Sequence, residues 1–434
     1  MLSKIAFSLT IGAKLMALSS SNPVTLSAPD QEMIGDSKII ANARGDFVLY
    51  WKLSDLEGDK VQVAVKPKDG GWLPFTTVAQ DEGVSVKECI LDDSGNIDIF
   101  LLKGCCGNKT LHGANKKWGE PWSRISNFSQ TANTISYGEY LVYKKNMFVS
   151  LSKSKNNYVD RLFFAFYDKE NDKIFHKSLA TAWSLYSSNT YLNKQRTICA
   201  VWEKRARIAG WFSTEDKYSL EAAWMREGTS TPALETICTL DKKTWLSFSN
   251  MDMAIDPQEN ATIVWTWDGK IQAVSRAQGK WNVPVDVSSS AKNLVQLKVS
   301  CDDEGNALVV WCDKAEKRGT LWSAYKPLGG SWTAPVEISA LSGNNKFFTV
   351  AHTHAGQFVV VWNYGIKLMM DSIYGATFST KDQKWSAPQR LSPDGQICQN
   401  PSLAFSESGK GYLNWINITN PKDVKVQVAE LRVD

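Results

Sequence analysis

The chain has 434 residues and a formal net charge of +4, with 43% hydrophobic and 22% charged residues, a composition that builds a core and excludes a disordered chain, a collagen and a coiled coil. Near-cancelling charge leaves no field for reading nucleic acid by bulk electrostatics, and no run approaches the roughly 20 apolar residues of a membrane-spanning helix. The 18 Trp, 13 Tyr and 17 Phe, interleaved with 28 Gly, suit half-buried strands joined by tight turns, so the expectation is an all-β protein.

Lys4, an apolar run from Ile5 to Leu18 and then Ser19-Ser20-Ser21 open the chain. That order predicts a secretory signal over residues 1–19, against which Lys14 counts. If the signal functions, the protein is exported to the periplasm or beyond; otherwise it is cytoplasmic. The next segment, Pro23-Val24-Thr25-Leu26-Ser27, resembles Pro335-Val336-Glu337-Ile338-Ser339 far downstream.

From residue 28 onward one pattern recurs: a Gly six residues before a Trp, with Asp, Asn or Ser around the Gly and an apolar run leading to the Trp. Gly45 and Trp51 begin the series, and Gly95 keeps the offset with Leu101 in the Trp place. Asp256 to Trp265 keeps it with Glu259 in the Gly place. Gly305 and Trp311, Gly356 and Trp362, and Gly409 and Trp415 complete it. Gly accepts the positive φ of a tight turn and the neighbouring side chains bond the backbone locally, so each unit reads as a hairpin. Alternation then puts Ala307, Val309 and Trp311 on one strand face, with Asn306, Leu308 and Val310 on the other. Apolar residues on both faces require cover on both sides, and the Trp series is expected to pack between repeats.

Roughly 20 residues after each hairpin comes a Trp with Pro close behind: Trp72 with Pro74, Trp118 with Pro121, Trp281 with Pro284, Trp332 with Pro335 and Trp385 with Pro388. Proline cannot donate to a ladder, which predicts an edge strand. A four-stranded unit of about 50 residues with an exposed last strand is a propeller blade. The predicted fold is a single β-propeller over residues 20–434, with eight blades and with seven or nine left open. The blades run over 28–79, 80–126, 127–186, 187–240, 241–288, 289–339, 340–392 and 393–434. In the degenerate stretch 127–240, alternations occur at Tyr140 to Ser152, Leu162 to Tyr167, Ile174 to Leu179, Thr197 to Trp202 and Leu220 to Trp224. The basic runs Lys144-Lys145 to Lys155 and Lys204-Arg205-Ala206-Arg207 there read as solvated faces. The last repeat ends on Val424 to Leu431 without a Pro-marked strand, so Pro23 to Ser27 is expected to close the ring.

Segments such as Asp256 to Trp265 and Gly279-Lys280-Trp281-Asn282-Val283-Pro284 resemble the repeats of bacterial sialidase-superfamily propeller proteins. The resemblance implies a fold; the sialidase chemistry it brings, an arginine triad with a tyrosine nucleophile and acidic partners, finds no matching motif. Ser123-Arg124-Ile125-Ser126 lacks the proline of the Phe/Tyr-Arg-Ile-Pro motif, and the Ser-x-Asp-x-Gly-x-Thr-Trp box is missing. Arg44, Arg124 and Arg205 gathered at one mouth of the channel would restore that chemistry.

Eight cysteines are even in number, yet Cys301 and Cys312 would not lie opposite one another across their hairpin, and Cys105 and Cys106 point to opposite faces of a strand. Buried thiols are expected. His352 and His354 share a strand face, but two ligands do not make a metal site. No metal or cofactor is expected, and no catalytic residue is assigned. Binding residues are nominated by position, just beyond the Trp series where connections open onto one face: Glu203, Lys204, Trp267, Asp268, Asp313, Lys314, Asn363 and Tyr364. The function expected is a monomeric, non-enzymatic scaffold for a protein or glycan. The alternatives are a divergent sialidase-like glycoside hydrolase and, third, a structural component of an assembly.

Overall fold

The computed structural model describes residues 17–28, 33–104, 110–127, 139–142, 147–156, 159–168, 173–182, 184–192, 197–209, 214–226, 229, 231–240, 251–291, 293–315, 318–339, 344–365, 371–420 and 423–433. These residues form eight antiparallel sheets, each a meander in chain order. Sheets 1 to 8 span residues 33–80, 85–127, 139–182, 184–240, 251–288, 294–337, 344–390 and 397–433, the last joined by strands at 18–20 and 24–25. The first strand of each sheet touches the first strands of its two neighbours, and the first strand of sheet 8 touches that of sheet 1, so the inner strands close a ring. The expected all-β propeller is what the strand pairing builds.

The first turn of each sheet shows why the Gly-to-Trp pattern recurs. Gly45, Gly95, Gly305, Gly356 and Gly409 all adopt positive φ, between 71° and 96°. In sheet 6, Asp302 Oδ1 accepts the amides of Glu304 and Asn306, Asn306 Nδ2 donates to Asp302 Oδ2 at 2.8 Å, and Asn306 Oδ1 accepts the amide of Leu328. Asp92 with Asn96 and Asp256 with Asn260 repeat this, tying the first turn to the third at Trp118 and Gln278. Sheet 1 exchanges the roles, with Asn42 donating to Asp46 and Asp46 accepting from Lys68.

That third-turn bond corrects the alignment in sheet 2. Trp118 takes the turn place of Lys68 and Leu328, and Arg44 lies over the Trp118 ring, 5.7 Å from its centroid. The counterpart of Trp72 and Trp332 is Trp122, because Ser123 bonds Asn115 as Thr333 bonds Tyr325. The Pro-marked segments are the outer strands, as expected, and the prolines also break them in two: sheet 5 has Lys280–Trp281 and Val285–Ser288, and sheet 7 has Lys384–Trp385 and Gln389–Arg390.

The core lies between sheets. Trp51, Trp202, Trp265, Trp311, Trp362 and Trp415 are all buried. Trp311 and Val309 pack toward sheet 5, while Leu308 and Val310 pack toward sheet 7, as the alternation predicts. Truncating one such indole costs about 3–5 kcal/mol in other cores. Side chains also bond sheet to sheet: Gln296 Oε1 accepts the Phe348 amide at 3.0 Å while its Nε2 donates to the Phe348 carbonyl at 2.9 Å. The Val299 amide donates to Asp252, and the Ile39 amide to Ser402.

The amino-terminal segment closes sheet 8. Val24 and Thr25 pair with Val428 and Gln427, and Leu18–Ser20 pairs with Val433 to Leu431. Leu18 is buried beside Val361 and Leu391, so part of the expected signal belongs to the sheet; its residues 1–16 lie outside the described residues, as do Cys105, Cys106, Lys144 and Lys145. Cys89, Cys199, Cys238, Cys301, Cys312 and Cys398 are free thiols. Burial pushes Cys301 and Cys312 up to about 12, so they behave as small apolar groups. No helix among the described residues is long and apolar enough to cross a membrane.

Candidate functional site

Strand order puts the second-to-third connections and the sheet-to-sheet connections on one face of the ring. On that side, among the described residues, the first strands of six sheets carry a β-bulge, each within two residues of the level of the buried Trp or Leu101. The extra residues are Gly35 and Asp36, Lys87, Ser187, Val295, Lys346 and Phe347, and Asn400 and Pro401. Bulges bend a strand and re-aim its side chains, and they concentrate near binding sites. Here they act on the innermost strands. Val295 and Phe347, on neighbouring strands beside the Gln296 bridge, are 43% and 57% exposed, and Asp36 is exposed as well.

The positions nominated from sequence divide in two. Second strands continue beyond the Trp, so the residue just after it faces the next sheet. Asn363 is buried, donates to the Cys398 carbonyl at 2.8 Å and accepts the Asn400 amide at 3.2 Å, gripping the bulge of sheet 8. In the same register Cys312 donates to the Asn345 carbonyl beside the bulge of sheet 7. Glu203 is buried with Oε2 unpartnered, and burial pushes its carboxyl up to about 7. Tyr364 is buried with its ring 5.1 Å from that of Tyr374. The others lie farther out. Lys204 pairs with Glu221 at 2.9 Å, Asp313 is half-buried and Lys314 is exposed. Trp267 packs on the core between sheets 4 and 5, and Asp268 is exposed in the turn after it with φ 46°. The bulges carried no repeated signal in the sequence, and among the residues whose side chains are described the exposed ones, Asp36, Val295 and Phe347, add to the nominated set.

The arginines of the sialidase comparison stand in separate sheets, two of them paired locally. Arg44, in a first turn on the opposite face, pairs with Asp46 at 2.8 Å; Arg205 pairs with Asp216; Arg124 is exposed in the outer segment of sheet 2. Asp303 lies against both His352, at 3.5 Å, and His354 Nδ1. Among the described residues no group of three His, Cys, Asp or Glu is arranged to hold a metal ion.

No family model and no curated protein matches the chain. Among solved structures it is similar to a protein of unknown function from Dyadobacter fermentans DSM 18053, at 10% identity over 96% of this chain and 99% of that one, TM-score 0.44. It is also similar to the WD40 domain of SCAP from fission yeast, at 9% identity over 94% and 98%, TM-score 0.49. The NanB sialidase from Streptococcus pneumoniae is 7% identical over 96% of this chain and 70% of its own, TM-score 0.38. Propellers host binding scaffolds and enzymes alike, so such likeness concerns fold and leaves function to the site.

Proposed function

We propose that the protein is a non-enzymatic binding scaffold that takes a protein or glycan on the face carrying the sheet-to-sheet connections. The observation behind this reading is the set of bulges on the inner strands, among which Val295 and Phe347 stand exposed on neighbouring strands. Asp36, Asp268 and Lys314 supply exposed charge on the same face. Replacing Val295 and Phe347 by Asp, one at a time, is expected to remove capture on a glycan array or by photocrosslinking from position 347, with the unfolding curve kept. Aryl glycosides should not be turned over; turnover abolished by Asp268→Asn or Glu203→Gln would favour the hydrolase reading instead. We propose further that the protein is exported. Because Leu18 is paired and buried, its mature terminus would lie upstream of residue 18, which terminal sequencing of secreted material tests.

A further inference from the structure

Neighbouring sheets also meet at the outer rim, through positions that recur in register. One is the third-strand residue opposite the fourth residue before the buried Trp or Leu101. It is Lys66 in sheet 1, Lys116 in sheet 2, Arg276 in sheet 5 and Lys326 in sheet 6, but Phe378 in sheet 7. Sheets 4 and 8 carry the aliphatic Met225 and Leu431 there.

Between sheets 4 and 5 the Arg head fills the cleft. Arg276 is 5% exposed, pairs with Glu235 at 2.8 Å and lies 4.4 Å from the Trp224 ring centroid. Between sheets 6 and 7, Phe378 replaces Arg276, Val336 stands at the register of Glu235, and Tyr325 at that of Trp224. Tyr325 and Phe378 lie 5.0 Å apart by ring centroids, and Phe378 and Trp385 5.3 Å. A cavity of about 310 Å³ stays open among them, at the small end of ligand pockets. Its buried hydroxyl, on Ser323, is already engaged, and Thr333 accepts a backbone bond. Ser323 Oγ accepts the Trp385 indole N–H at 3.0 Å and donates to the Val336 carbonyl, and Thr333 Oγ1 accepts the Tyr325 amide. Exposed donors sit at the mouth, on Gln383 and Lys384.

We propose that this rim cleft takes one bulky apolar side chain of a peptide whose next residue is acidic. The three aromatic rings and Val336 surround the apolar group, and the Lys384 ammonium meets the carboxylate. A pyranose fits less well, because Ser323 already both donates and accepts and the rest of the wall is mostly apolar side chain. The cleft is a surface separate from the bulged inner wall and goes beyond the reading above.

The test is fluorescence anisotropy of the whole protein with three labelled peptides: acetyl-Gly-Ser-Leu-Asp-Ser-Gly, and its versions with Gly for Leu or Lys for Asp. The Leu-Asp peptide should bind with Kd below about 1 mM, and Gly for Leu should weaken it about tenfold or more. Phe378→Lys installs the residue that sheets 1, 2 and 6 carry, and should abolish binding. Lys384→Glu, at an exposed site that leaves the core untouched, should weaken the Leu-Asp peptide and spare the Leu-Lys one, so it reads out even if Phe378→Lys unfolds. No binding at 1 mM, equal binding to folded Phe378→Lys, or displacement of the peptide by cellobiose would overturn the proposal. Val295→Asp should leave all three affinities unchanged, which separates failure here from failure at the inner wall.

Discussion

Arg226 forks onto Glu259 with three hydrogen bonds of 2.6 to 2.9 Å, and Glu259 is the residue that stands in a turn-glycine position with φ 63°. Burial pushes the Glu259 carboxyl up, and the bonds from Arg226 and Thr197 more than reverse it. A left-handed backbone costs a non-glycine residue about 1–2 kcal/mol, whereas a largely exposed ion pair returns about 0–1 kcal/mol. Glu259→Ala, which keeps the strain and loses the bonds, should therefore be less stable than Glu259→Gly in urea unfolding. The reverse order would mean that the turn is not left-handed in solution.

Glu203 makes stability depend on pH. Its carboxyl rises from an ordinary 4.5 to about 7 through burial, so the folded chain holds a proton that the unfolded chain has released. The sign is fixed by that difference: stability is fully present below about pH 4.5 and falls as pH rises through 7, by on the order of 2–3 kcal/mol. Urea midpoints between pH 5 and 8 should fall more steeply for the native chain than for Glu203→Gln. Parallel slopes would contradict the burial.

Two turn glycines separate backbone strain from crowding. At Gly409, φ is 80° and an added Cβ would meet nothing within 4 Å, so Gly409→Ala should cost about 1–2 kcal/mol. At Gly305, φ is 84° and the Cβ would come within 2.6 Å of Asp256 Oδ2, in the neighbouring sheet's first turn. Gly305→Ala should cost about 1 kcal/mol more, because Asp256 must release Asn260. Equal denaturation curves for the two variants would place the turns farther apart.

The second-strand indoles and their turns were legible because a fixed Gly-to-Trp offset leaves one way to build the hairpin. The outer strand of sheet 2 was misaligned for a local reason: Trp118 precedes Gly119 and Pro121 much as a strand Trp would, yet its amide bonds Asn96 in the turn. Asn363 and Tyr364 follow the Trp that closes the apolar run, so the sequence pattern ends before them, whereas pairing runs on to Gly365. Bulges at Val295 and Phe347 were unreadable, since each depends on how two strands pair and leaves no periodic mark. The Arg276 to Glu235 pair joins residues from different sheets at no constant spacing. Val24 and Thr25 were readable as the closing strand because their segment resembles Pro335 to Ser339 and the last repeat lacks a Pro-marked strand of its own.

Closure of the ring by the amino-terminal segment is tested most directly by hydrogen exchange at two amides of the last strand. The Val426 amide donates to Ser27 Oγ and the Glu430 amide to Ser21 Oγ, each at 3.0 Å. Peptides covering 423–433 should be protected in the intact chain and exchange much faster in a folded chain that begins at residue 28. Unchanged protection in the shortened chain would contradict the closure, because those amides would then have other partners.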